Sequence, residues 1–151
     1  MKKSTQKRLM AISIVLIFAL SSIAFVFTGF QQPQQQIKSL DSFVIDGEID
    51  PQVQAAYVEG GFTFLKLYYN TETSADIIGF ADAAPSYFTT PNGQVQLVSQ
   101  KITSGTTYAN IVNYQGDKYV ANVTVDSLFS AICARLTVQS TECALRALSV
   151  S

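Results

Sequence analysis

The stretch FTFLKLYYNTETS, Phe62 to Ser74, changes character halfway along. Phe62 to Tyr69 is apolar on both faces except at Thr63 and Lys66, the pattern of an interior strand rather than an edge. Asn70, Thr71, Glu72, Thr73 and Ser74 follow, residue types whose side chains bond nearby backbone and so favour turns and helix starts. Thr73 to Ala83 then places Ile77, Ile78 and Ala81 on one side of a helix, with Gly79 as its weak point. A strand therefore hands over to a helix through a T-x-x-S at Thr71 and Ser74, which points to an α/β domain.

Working outward, Asp50-Pro51 reads as an N-cap followed by a proline at the first helical position. Val53, Ala56 and Tyr57 share a face of the helix this starts, Pro51 to Glu59, and Gly60-Gly61 ends it. Downstream, Gln94 to Ile102 sets Val95, Leu97 and Ser99 against Gln94, Gln96, Val98 and Gln100, which predicts a half-exposed strand. Tyr108 to Tyr114 and Lys118 to Val125 flank Gln115-Gly116-Asp117 as a hairpin, with Tyr119, Ala121, Val123 and Val125 on one face. Asp126 is the expected cap of a last helix carrying the stripe Leu128, Phe129, Ile132, Cys133 and Leu136.

The order is helix, strand, helix, strand, antiparallel hairpin, helix, and over Asp50 to Leu136 it resembles the thioredoxin family. YANIVNYQGDKYVANVTVDSLFSAICARL, Tyr108 to Leu136, is similar to that family's closing hairpin and terminal helix, and FTFLKLYYNTETS to its central strand and redox junction. The resemblance implies a thioredoxin-like fold: a central mixed sheet with an antiparallel C-terminal hairpin and flanking helices. It also places Thr71 and Ser74 at the two cysteine positions of C-x-x-C, Asn70 at the preceding tryptophan, and Thr106-Thr107-Tyr108 where the family has a cis-proline. A hydroxyl offers no thiolate near neutral pH and closes no disulfide, so the family's redox chemistry is not expected here. Asn70, Thr73, Thr107 and Tyr108 would then line a polar cleft able to bond a peptide backbone or an anion. The competing reading is that Asn70, Thr71 or Thr73 simply caps the helix.

Leu9 to Phe30 holds no charged residue, and its 22 residues are dominated by Leu, Ile, Val, Phe and Ala. At about 1.5 Å per residue such a helix crosses a hydrocarbon core of roughly 30 Å, which predicts one N-terminal transmembrane anchor. Lys2, Lys3, Lys7 and Arg8 precede it and all 11 acidic residues follow, so the N-terminus is expected in the cytoplasm and the rest outside. The alternative is a secreted domain released by signal cleavage near Ala24, against which the run continues through Phe25, Val26 and Phe27. Three segments result: a basic tail and anchor over 1–30, a Gln-rich stalk over 31–40, and an extracytoplasmic domain over 41–151.

Beyond Phe30 six basic residues face 11 acidic ones, a net charge of −5, which repels phosphate backbones and argues against nucleic acid. The chain has no histidine, which excludes a Ser-His-Asp triad and imidazole metal ligation, and two cysteines do not build a zinc site. No metal, cofactor or catalytic residue is expected. Asp41, Asp46, Glu48 and Asp50 form an acidic run without calcium-loop spacing, best read as solvated. Cys133 and Cys143, ten apart with a turn at Gln139 to Glu142 between them, predict a structural disulfide in an oxidising compartment; a displaced redox pair is the alternative. Asn122-Val123-Thr124 is a glycosylation sequon, a triplet that also arises by chance. Seven tyrosines suit core edges or a binding surface.

The function expected from these readings is a membrane-tethered, redox-inactive module that binds a protein or peptide outside the cytoplasm. The rivals are a thiol-disulfide oxidoreductase or accessory redox protein cycling Cys133 and Cys143, and a structural subunit of an envelope assembly.

Overall fold

The computed structural model describes residues 12–15 and 38–149. Residues 12–15 are helical; the rest of the apolar run Leu9 to Phe30, the expected anchor, lies outside the described residues, as does most of the Gln-rich stalk. Among the described residues no helix is long and apolar enough to cross a membrane. The chain divides into two compact units, Met1–Gln36 and Ile37–Ser151.

In the second unit the order is β1 (Val44–Asp46), α1 (Pro51–Glu59), β2 (Thr63–Tyr69), α2 (Ala75–Tyr87), β3 (Leu97–Thr103), β4 (Tyr108–Asn113), β5 (Gly116–Val120), α3 (Val125–Cys133) and α4 (Thr141–Ser149). The five strands form one mixed sheet in the order β1-β3-β2-β4-β5. β1 and β2 both run parallel to β3, whereas β4 is antiparallel to β2 and β5 to β4. This is an α/β architecture with flanking helices, compatible with a thioredoxin-like fold.

β2 sits at the centre, paired on both sides over most of its length, so its near-continuous apolar run follows from burial on both faces. Leu65 and Leu67 point to one face with Leu97, Ala109 and Ile111, where Ile77, Ala81 and Ala84 of α2 and Leu128, Ala131 and Ile132 of α3 close over them. Each buried Leu or Ile among them contributes about 1.5–3 kcal/mol. Phe64 and Val98, also fully buried, belong to the opposite face.

Four local departures from the sequence reading have physical causes. β1 was not anticipated, because three residues are too few for a periodic signal; it is held by its pairing with β3 and by Gly47, which takes φ +98° to end it. α2 begins at Ala75 and runs on to Tyr87 through Pro85. Pro85 is buried with Ala84 and Phe88, so packing outweighs the lost helical bond near the helix end. The hairpin turns at Tyr114-Gln115, and Gly116, the direct partner of Asn113, takes the φ of +105° that a glycine adopts without strain at the end of so short a connection. α3 is capped by Thr124, not Asp126: Thr124 Oγ1 accepts from the Ser127 amide at 3.0 Å and Ser127 Oγ from the Thr124 amide at 2.9 Å. That box takes the chain out of the sheet at Val120, five residues short of the expected Val125.

Candidate functional site

The β2–α2 junction lies at the carboxyl end of the central parallel strand, where open α/β sheets commonly bind ligands. The connection from β3 to β4 crosses this end in four residues, Ser104 to Thr107. The Ser104 amide donates to the Tyr69 carbonyl at 2.7 Å, and the Asn70 side-chain amide donates to the Gly105 carbonyl at 3.3 Å.

Three of the four expected cleft residues meet here. The Thr73 and Thr107 hydroxyl oxygens are 2.6 Å apart, and lie 3.2 Å and 3.3 Å from Asn70 Oδ1. The Asn70 amide donates to Thr73 Oγ1 at 3.0 Å, and the Glu72 amide to Asn70 Oδ1 at 3.0 Å. The knot satisfies much of its own hydrogen bonding, and it fixes the turn against the β3–β4 loop. Tyr108, the fourth, turns to Tyr68: their rings stack at 4.3 Å, and Tyr119 joins at 5.5 Å.

Thr71 and Ser74 stand outside the knot and are exposed. Ser74 is the N-cap of α2, with φ −62° and ψ 146°, but its hydroxyl makes no capping bond. Thr71 is three residues earlier, in the turn, so the pair straddles the approach to the helix rather than its first turn. The arrangement presents two hydroxyls beside the exposed N–H groups of a helix start. It can donate and accept hydrogen bonds.

Beneath the junction, Lys101 of β3 reaches Asp82 of α2 at 2.6 Å and Asp46 of β1 at 3.1 Å, with 14% of its side chain exposed. The Asp82 hydrogen bond, reinforced by Asp46, raises the ammonium pKa above the ordinary lysine value against the opposing effect of burial. This ion cluster ties β1, β3 and α2 together and was missed from the sequence. Its signal was there: Lys101 continues the inward set Leu97, Ser99 by strict alternation.

The other expected residues lie elsewhere. Cys133 at the end of α3 and Cys143 in the first turn of α4 form a disulfide, Cα–Cα 5.6 Å, with Cys143 buried in the core. Asn122 is exposed in the bend between β5 and α3, where its carbonyl accepts from Ser127 Oγ at 3.0 Å. In the acidic run, Asp46 pairs with Lys101 and Asp50 caps α1 by accepting from the Gln52 amide at 2.8 Å. Among the described residues no three metal-ligating side chains gather. Three surface grooves, of about 460, 550 and 380 Å³, are bordered by 38–53, by the amino ends of β2 and β3, and by α1; neither Thr71 nor Ser74 lines any of them. Comparison with protein-family models, with curated proteins and with solved structures returns no match.

Proposed function

We propose that Ile37–Ser151 is a thioredoxin-like module without dithiol activity that binds a protein or peptide. In this reading it is held outside the cytoplasm by the apolar run Leu9 to Phe30. The observation that carries it is the placement of sulfur. The junction at the carboxyl end of β2 offers only Thr71 and Ser74, while both cysteines are joined between α3 and α4. Thioredoxin-type exchange needs an attacking thiolate and a second thiol in reach, and neither is at the junction. The segment before β4 does face that junction, through Thr107, as the stretch bearing the family's cis-proline would. A disulfide fits an oxidising compartment, and the basic head before the apolar run favours the outward orientation. Cleavage near Ala24 would leave the same domain in the same compartment.

Three experiments test this. A photo-crosslinking residue at Thr71 or Thr107 should capture extended polypeptide, while the same residue at exposed Glu142 should not; equal capture at all three removes the junction as a binding site. The full chain should not accelerate dithiothreitol reduction of insulin. Acceleration that vanishes in the Cys133→Ser, Cys143→Ser double variant would establish the rival redox cycle instead. External protease on intact cells should cut beyond Gln36, and protection there would overturn the orientation.

A further inference from the structure

The sheet face turned away from α2 and α3 carries a polar row where apolar residues would be ordinary. Register sets Gln100 of β3, Lys66 of β2 and Asn110 of β4 side by side. Phe64 and Val98, two residues back on the same face, are fully buried, so this surface is elsewhere closed with hydrocarbon. Gln100 is fully buried too, yet its Oε1 has no hydrogen-bond partner, and neither has the buried Oδ1 of Asn110. Buried amide oxygens without donors are uncommon, and each calls for a physical reason. α1 borders this region but buries none of its own residues.

Between α1 and the sheet is a groove of about 380 Å³ whose walls include Glu48, Ile49, Gln54, Val58, Lys66 and Val112. Its two charged residues, Lys66 and Glu48, have opposite signs, and neither forms an ion pair among the described residues. Glu48 also lies near Tyr68, whose phenol pKa is raised by burial, then by Tyr108, then by Glu48. Tyr68 is two residues along β2 from Lys66 and on the same face of the sheet, and both Lys66 and Glu48 border the groove.

We infer that this groove binds a small zwitterion of the α-amino acid class with an aliphatic side chain. The ligand carboxylate meets Lys66, its ammonium meets Glu48, and its side chain lies against Ile49, Val58 and Val112. A simple anion or cation would match one protein charge and leave the other unpaired, and a neutral hydrocarbon would leave both. The site is separate from the β2–α2 junction and goes beyond the proposed function.

The test is calorimetric titration of the full chain with L-leucine, with leucinamide, which lacks the carboxylate, and with 4-methylpentanoate, which lacks the ammonium. Leucine should bind saturably and each analogue roughly tenfold or more weakly. Lys66→Gln and Glu48→Gln should each weaken leucine by a similar factor, Lys66→Arg should restore most of it, and Thr71→Ala with Ser74→Ala should change nothing. Absence of saturable leucine binding overturns the inference. So does equal binding of leucine and 4-methylpentanoate, which would mark an anion site only, or unchanged affinity in both charge variants. The analogue series on the unmodified chain decides the matter even where a variant fails to fold. Junction cross-linking is a separate readout, so failure there with leucine binding intact removes only the function proposed above.

Discussion

Two residue pairs three and ten apart in sequence sit in opposite circumstances. Thr71 and Ser74 are exposed beside the start of a 13-residue helix, where helix polarity favours an anion and a partner could approach. Cys133 and Cys143 are bonded to each other, and Cys143 is buried against the core cluster. Reactivity depends on exposure and an electropositive setting, whereas stabilisation depends on burial and a closed loop. The oxygens occupy the place suited to chemistry, and the sulfurs occupy the place suited to holding two helices together. α4 shows why such a hold is needed. It has nine residues, too few for an isolated helix to persist, and Cys143 is its one buried residue. Leu145 and Leu148 face outward, and beyond the disulfide the helix is attached by Arg146, which pairs with Asp126 and lies 4.5 Å over the Phe129 ring.

The largest expected effect therefore comes from cutting the sulfur pair. Closing a loop of this length stabilises by about 2–3 kcal/mol on the chain-entropy model, and Cys133→Ser with Cys143→Ser should lose that amount in denaturant unfolding. Hydrogen exchange should show the loss concentrated in 134–149, with β2 to β4 still protected. Uniform loss of protection would mean that α4 is part of the core and not an attachment to it.

Next comes the knot that shapes the junction. Asn70→Ala removes the acceptor for the Glu72 amide and for the threonine hydroxyls, and should cost about 1–2 kcal/mol. Thr107→Ala removes one member and leaves the Asn70–Thr73 contacts in place, so its cost should be about half as large. Equal costs would show that the β3–β4 loop, and not the turn, is what Asn70 supports.

The parts of this arrangement differ in how plainly the sequence announced them. β2 and α2 were legible because burial on two faces and helical spacing leave strong periodic marks, in Phe62 to Tyr69 and in Ile77, Ile78 and Ala81, of which Ile77 and Ala81 are buried and Ile78 is half-buried. The clasp was legible because two cysteines allow one intramolecular pairing. β1 was not, since a three-residue strand owes its existence to β3. The caps of α2 and α3 were both misplaced, Ser74 standing where Asn70, Thr71 or Thr73 was expected and Thr124 where Asp126 was, because Thr, Ser, Asn and Asp compete for the same role and tertiary contacts choose among them. That Asn70, Thr73 and Thr107 would meet followed from the resemblance; that they would bond one another depended on the four-residue crossing of β2.

A smaller effect belongs to Lys101, which braces the junction from below. Its pKa is raised on folding, so its contribution to stability is complete below the ordinary lysine value of about 10.4 and disappears as pH rises through the higher folded value. Lys101→Met should lower stability by about 1 kcal/mol at neutral pH, a modest loss because Asp46 and Asp82 keep contact with solvent. Tyrosine ionisation falls in the same alkaline range, so the informative quantity is the difference between the two proteins' melting temperatures, which should close above that window. A constant difference up to the highest pH would assign the effect to packing of the lysine stem.

The smallest effect on the fold is expected at the two exposed hydroxyls, and it sharpens the comparison most. Thr71→Ala and Ser74→Ala should each change stability by less than about 0.5 kcal/mol, as neither residue is buried and Ser74 makes no capping bond. Thr71→Cys and Ser74→Cys, made singly, should be equally tolerated and should then report the electrostatics of the site. Position 74 is the N-cap, adjoining the unpaired N–H groups of α2, while position 71 is separated from them by the turn. The thiol at 74 should therefore ionise at the lower pH, seen as faster alkylation near neutrality, with Cys133 and Cys143 silent in their disulfide. In the double variant the two thiols should close to a disulfide under mild oxidant without moving the melting temperature by more than a few degrees. If position 71 reacts faster, the helix start does not shape this surface. If no disulfide forms, the pair does not occupy a redox-type junction, and the thioredoxin-like reading of the module falls with it.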